Sequence, residues 1–487
     1  MFKFHSTAAS FQKHITKLLV IATEDHVQQS IPQTVLAGDH WQVFERELAQ
    51  LKVGNKGKTI KSLTTSESVE QLTLAVLPNQ VSRGNSPTRK SWIYQYSEDL
   101  EADPAPAVMV IVDDQDHAAA AVSALARRLR LYNRQKSAPQ KRQIHLLLAD
   151  RTGQVFEADN QVKSLGETVA WTCRICDTAP ADMNPRTLSK EIRKLFKDHE
   201  AVDVTEIKGD KLLDEHLNAI HAVGRASEEE PRMLVLDYQP PKGGGGKPIA
   251  LVGKGVTYDS GGLSLKIQGG MVGMKMDLGG AAAVIGAFKT LVDCQFPRRV
   301  IASVGLVENA IGPNSYRNDD IIAMHSGKTV EINNTDAEGR LVMADCASYL
   351  GRKFAPELLI DAATLTGAQL VATGLQHAAI VSNDDALENL ARESGKISGD
   401  LVAPLPFAPE FFEEEFKSLV ADMRNSVKNR MNAQSSCAAQ FVYSHIDDLD
   451  LKWLHIDLAG PASTSSGLGT GFGVALISRI VQDWGNR

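Results

Sequence analysis

The sequence predicts an α/β protein of two domains, residues 1–165 and 166–487. Three observations point there. Short apolar runs alternate with helical patterns, and strand–helix–strand order builds parallel α/β units. The length of 487 residues exceeds one domain of ~150 residues. The prolines of Ala179-Pro180 and Asn184-Pro185 punctuate the chain just after a helical stretch.

Each element has its own warrant. Residues 17–22, 72–77, 107–112 and 144–149 are apolar runs of strand length. Residues 117–135 are rich in Ala, Leu and Arg and read as a helix. The polar stretch 54–70 lacks a clear period and reads as loops or short edge strands. Residues 164–175 turn helical and cross the domain boundary. The second domain opens with a helix at 186–196, followed by strands at 233–238 and 249–252. The glycine-rich residues 240–248 between those strands read as a hairpin-like turn. A helix at 280–292, a strand at 299–307, a helix at 340–353 and a strand at 358–362 complete the pattern.

Composition narrows the function classes. Hydrophobic residues make up 43% and charged residues 23%, an ordinary balance for a chain with its own core. The net charge of −7 gives no global pull toward nucleic acid or anionic membrane. The five cysteines are too few and unevenly matched for a disulfide framework, which suits a reducing compartment. Residues 18–22 are too short for a signal peptide's apolar stretch, and no window approaches the ~18 apolar residues of a membrane span. A cytoplasmic protein without a membrane partner is expected. One local run is basic: Arg127, Arg128, Arg130, Arg134, Lys136, Lys141 and Arg142. On a helix Arg127, Arg130 and Arg134 would share a face. Such a face is usually just solvated; the alternative is an additional DNA-binding role.

Two motifs are decoys. GGGGKP lacks the Ser or Thr that a phosphate loop places after its lysine, because Pro248 stands there. Cys173 and Cys176 have half-zinc spacing without a second pair, and on a helix they simply share a face.

The chemistry concentrates in two stretches. Residues 252–283 read VGKGVTYDSGGLSLKIQGGMVGMKMDLGGAAA, with Lys254, Asp259, Lys266 and Asp277 among glycines. Glycine permits backbone geometries other residues resist, which suits a ligand-crowded site. Residues 331–341 read EINNTDAEGRL, where Asp336 and Glu338 are two apart and share a face in extended chain. Taken singly, such aspartates are turn residues or helix caps. Together, four carboxylates among apolar strand ends require cations. Hard oxygen donors suit Mn²⁺, Mg²⁺ or Zn²⁺. No histidine falls in either stretch, and HExxH is missing. A two-metal phosphoesterase, with Lys266 and Arg340 clamping a phosphate, would also use such a site.

NTDAEGRL, residues 334–341, resembles the signature of the leucyl (cytosol) aminopeptidase family. VGKGVTYDSGG and MDLGGAA resemble that family's metal-binding segments, and AVGRAS, DAATLTGA and HIDLAG extend the match over nearly everything after about residue 170. The resemblance implies a variable N-terminal α/β domain and a larger C-terminal catalytic domain, with a mixed central sheet flanked by helices. It implies an aminopeptidase with two divalent metals, Mn²⁺ or Zn²⁺, that polarise the scissile carbonyl and activate a shared water. Asp259 and Glu338 would bridge both metals, Asp336 would complete one site, and Lys254 and Asp277 the other. Lys254 would then be a neutral amine, far from its usual pKa of ~10.4. Lys266 would stabilise the oxyanion, and Arg340 would hold a bicarbonate-like anion acting as general base. Met274, Asn334, Thr364, Leu365 and Gly367 would contact substrate, with a broad preference for Leu or Met at the first position. The family also implies a homohexamer. The sequence departs from the family's usual pattern at Ile267 to Gly270, and Tyr258 stands where Phe is common, which leaves the pocket rim open.

Overall fold

The computed structural model describes residues 1–13, 16–30, 53–54, 56–63, 71–103, 105–135 and 142–486. It divides into two compact units. One comprises Met1–Trp171 with Ser394–Leu401, the other Thr172–Glu393 with Val402–Arg487.

The first unit is built on a sheet of seven strands among the described residues. Phe2–His5, Ile144–Ala149, Ala107–Ile111, Lys17–Thr23 and Gln71–Leu77 run parallel in that order. Lys58–Leu63 closes one edge antiparallel, within the stretch read as loops or edge strands. The expected residues 64–70 lie outside the described residues, as do Lys136 and Lys141 of the basic run. The inner strands are mostly apolar and buried along nearly their whole length, as strands covered on both faces are. Leu18, Val20, Leu72, Leu74, Val76 and Met109 form the core.

One helix is shorter than expected. It spans Ala118–Ala126 instead of 117–135. Arg128 turns inward, 6% exposed, and pairs with Glu101 at 2.6 Å. Arg130 takes a positive φ of 45° and pairs with the same carboxylate at 3.0 Å. Arg127 and Arg128 both lie 3.8 Å from the Tyr94 ring centroid. The chain therefore leaves the helix to satisfy these guanidinium groups, and Arg127, Arg130 and Arg134 do not share a helical face. The shared helical face that the DNA-binding alternative invoked is therefore not formed.

The second unit carries an eight-stranded mixed sheet among the described residues. Its order is Val402–Pro404, Ala378–Ser382, Lys452–Asp457, Leu358–Ala363, Ile249–Asp259, Val300–Asn309, Arg232–Tyr238 and Val202–Lys208. The central four strands are mutually parallel. The helices Gly279–Asp293 and Glu338–Phe354 pack against them, nearly every residue buried. Arg232–Tyr238 pairs with Val300–Asn309, not with Ile249–Asp259. Residues 240–248 thus cross over a neighbouring strand, and the hairpin-like turn is not formed. The strand expected at 249–252 continues to Asp259. Gly253 and Gly255 make that possible. A Cβ at Gly253 would stand 2.6 Å from Ala281 Cα, and one at Gly255 2.6 Å from Leu306 Cδ2.

Candidate active site

In open α/β sheets, ligand sites form beyond the carboxyl ends of parallel strands, and the predicted residues gather there. The strand Ile249–Asp259 carries Lys254 and ends in Asp259, its register shifting between Val256 and Asp259. Leu358–Ala363 delivers Thr364. Asp277 lies on the short helix Met274–Leu278, just ahead of the helix Gly279–Asp293. Glu338 is the first residue of its helix, where the helix dipole favours negative charge.

Lys254 is 3% exposed, with Nζ 2.7 Å from Asp277 Oδ1 and 2.9 Å from Glu338 Oε1. It also donates to the Thr364 carbonyl at 3.1 Å. Lys266 Nζ lies 2.8 Å from Asp259 Oδ2 and 2.5 Å from Asp336 Oδ1. Burial alone lowers the pKa of both lysines, but the surrounding carboxylates outweigh it and pull both above the ordinary lysine range. The carboxylates respond the other way. Burial, reinforced by mutual repulsion with Asp259, pushes Asp277, Asp336 and Glu338 up. The lysines pull the carboxyls down, yet four carboxylates face two ammonium groups, so repulsion and desolvation prevail. Arg340 is 5% exposed, and burial lowers its pKa to about 10.

Oxygen atoms of Asp259, Asp336 and Glu338 converge within 4.8 Å of one another. Asp277 Oδ2 and Glu338 Oε2 are buried without a hydrogen-bond partner. Hard donors left unsatisfied in an over-negative pocket suit divalent cations, so the residues present fit the metals the family implies.

One cavity of about 780 Å³ unites every predicted site residue. Lys254, Asp259, Asp277, Asp336 and Glu338 line it with Lys266 and Arg340, and Met274, Asn334, Thr364, Leu365 and Gly367 line the rest. Thr364 also donates its hydroxyl to Asp277 at 2.8 Å. Asn334 Oδ1 accepts the Asp336 N–H at 3.0 Å, which folds the NTDAEGRL loop back on itself.

Several supporting residues escaped the sequence reading. Asn309, 1% exposed, donates to Asp259 Oδ1 at 2.8 Å and to the Thr335 carbonyl at 3.0 Å. Tyr316 donates to that carbonyl at 2.6 Å. Asp457 accepts the Leu365 N–H at 3.0 Å and the Thr366 hydroxyl at 2.7 Å, fixing the loop after Thr364. Asn309 is a polar residue closing a mostly apolar strand, the one signal that could have marked it, and Asp457 sits within the HIDLAG stretch without a role read for it.

Residues 170–478 match the model of the cytosol aminopeptidase family, catalytic domain. The chain is 41% identical over 413 residues to the human probable aminopeptidase NPEPL1, covering 83% of this chain and 78% of that protein. It is 38% identical over 416 residues to leucine aminopeptidase 1 of Caenorhabditis elegans, covering 84% and 83%. Among solved structures, leucyl aminopeptidase from Trypanosoma cruzi superposes with a TM-score of 0.88 at 32% identity, covering 99% of this chain and 96% of that one. The Trypanosoma brucei enzyme in complex with bestatin gives 0.88 at 33%, covering 99% and 95%. With catalytic-domain match, full-length structural likeness and a carboxylate-rich site in agreement, this chain belongs to the cytosol aminopeptidase family and is an aminopeptidase.

Proposed function

We propose that the chain releases N-terminal residues from peptides at a two-metal centre held by Lys254, Asp259, Asp277, Asp336 and Glu338. Asp259 and Glu338 would serve both ions, with Asp336 toward one and Lys254 and Asp277 toward the other. Two Mn²⁺ or Zn²⁺ ions would polarise the scissile carbonyl and lower the pKa of a water between them. The observation that carries this reading is the convergence of three carboxylates within 4.8 Å, with Lys254 and Asp277 beside them in one cavity.

The protein's own groups do the remaining work. Lys254 would join that set as a neutral amine, since cations among these carboxylates would reverse the field that holds its pKa up. Lys266 keeps its proton and donates to the oxyanion of the tetrahedral intermediate. Arg340 holds a bicarbonate-like anion as general base; its buried Nε and one terminal nitrogen, Nη1, have no hydrogen-bond partner. Met274, Asn334, Thr364, Leu365 and Gly367 receive the first residue, with a broad Leu- or Met-like preference. We assign the catalytic domain to 166–487 and the N-terminal domain to 1–165, in a cytoplasmic homohexamer. Elemental analysis after loading and dialysis tests the metal set. About two ions per chain are expected for the native protein, and fewer for Asp336→Asn; equal metal content in both would remove Asp336 from the set.

A further inference from the structure

The cavity has a cation that the proposed chemistry does not use. Arg430 lines its rim, exposed, and has no ion-pair or hydrogen-bond partner among the described residues. The other cations there are committed or enclosed: Lys254 and Lys266 each contact two carboxylates, and Arg340 is buried.

The segment bearing Arg430 is anchored at both ends to the site. At its start, Asn425 Nδ2 donates to the Asn334 carbonyl at 2.7 Å, and the Ser426 N–H donates to Asn333 Oδ1 at 2.9 Å. At its end, the hydroxyls of Ser435 and Thr366 are 2.7 Å apart. Glu415 braces the middle from behind, accepting from the Asn429 N–H and from Asn432 Nδ2, each at 2.8 Å. Glu415 holds the loop and makes no ion pair with Arg430 among the described residues.

Resting on the aminopeptidase reading above, we propose that Arg430 is a specificity-determining residue that receives a carboxylate on the leaving side of the peptide. A free amine bound among the carboxylates directs the rest of the peptide outward, toward the rim. The second residue adds only ~3.5 Å of extended chain, so a dipeptide places its terminal carboxylate close beyond the scissile bond. A guanidinium pairs with a carboxylate through two parallel N–H···O bonds. An acidic side chain on the second residue offers the same group by another route.

The test compares kcat/KM for Leu-Gly, Leu-Gly-amide and Leu-Asp-amide in native protein, Arg430→Ala and Arg430→Lys. Turnover of Leu-Gly-amide by native protein establishes the aminopeptidase reading separately, since that substrate has no carboxylate. The expected result is a fall of about tenfold in the Leu-Gly to Leu-Gly-amide ratio for Arg430→Ala, carried mainly by KM, with partial recovery in Arg430→Lys. A fall confined to Leu-Gly identifies the terminal carboxylate as the group bound. A fall confined to Leu-Asp-amide identifies the acidic side chain. Ratios unchanged in Arg430→Ala, whether or not overall activity drops, would overturn the proposal.

Discussion

At the scale of single residues, the site's charged groups were legible because they crowd into two short stretches. Lys254, Asp259, Lys266 and Asp277 lie within one run, and Asp336, Glu338 and Arg340 within another. Groups that act across the fold were not legible. Asn309 reaches Asp259 from 50 residues away, and its contact exists only once two strands pair. With Asp259 as a proposed metal ligand, Asn309→Ala should weaken metal affinity about 10–100-fold, the usual effect of losing a group that orients a ligand; a competition titration with a metal indicator reads it. On the oxyanion role proposed for Lys266, Lys266→Ala should lower kcat by about 10²–10³. Steady-state kinetics on a leucine amide substrate check that. Away from the site, Asp345 is fully buried and accepts the Ala219 and Ile220 N–H groups at 2.8 and 3.3 Å and that of His325 at 3.0 Å. Burial pushes its carboxyl up to about 7, although those donors pull the other way. In the unfolded chain it titrates near ~3.9. The folded state therefore binds the extra proton between those values, and stability falls as pH rises toward about 7 and then levels. The gap in thermal midpoint between native protein and Asp345→Asn should shrink over that range. Parallel curves would show that Asp345 does not titrate there.

At the scale of elements, buried strands and helices of ordinary length were read well, and boundaries shifted where side chains had business elsewhere. The strand 249–252 extends to Asp259 because Gly253 and Gly255 let it pass close to its neighbours. The helix expected to reach 135 stops at Ala126 because Arg128 is drawn into Glu101. Neither effect has a local sequence period. Lys452–Asp457 carries a buried network that no run of letters announces: Trp453 donates to Asp361 Oδ2 at 2.6 Å, and His455 bonds Asp361 Oδ1. Close packing of helix on strand positions Asp277. A Cβ at Gly280 would stand 2.1 Å from the Ala362 carbonyl oxygen. Gly280→Ala should cost at least about 1–3 kcal/mol in chemical denaturation, as overpacking does, and should weaken metal binding by displacing the adjacent Met274–Leu278 turn.

At the scale of the whole molecule, the α/β class followed from the alternation of elements, whereas the long-range ties did not. Ser394–Leu401 joins the first compact unit although it lies far along the chain. Lys90 and Asp400, 6% and 3% exposed, pair at 2.5 Å across 310 positions. Breaking a buried pair strands the other charge, so Lys90→Ala should destabilise that unit by about 3–5 kcal/mol, measured as a separate unfolding step or an early midpoint. The central claim concerns the cavity and its cations. Its most direct test is hydrolysis of leucine-p-nitroanilide and its N-acetyl derivative, after chelation and after restoring Mn²⁺ or Zn²⁺. The expected result is no activity after chelation, recovery with metal, and cleavage of the free-amine substrate alone. Undiminished hydrolysis by fully demetallated protein, or equal cleavage of the acetylated compound, would contradict a two-metal aminopeptidase that binds a free amino terminus.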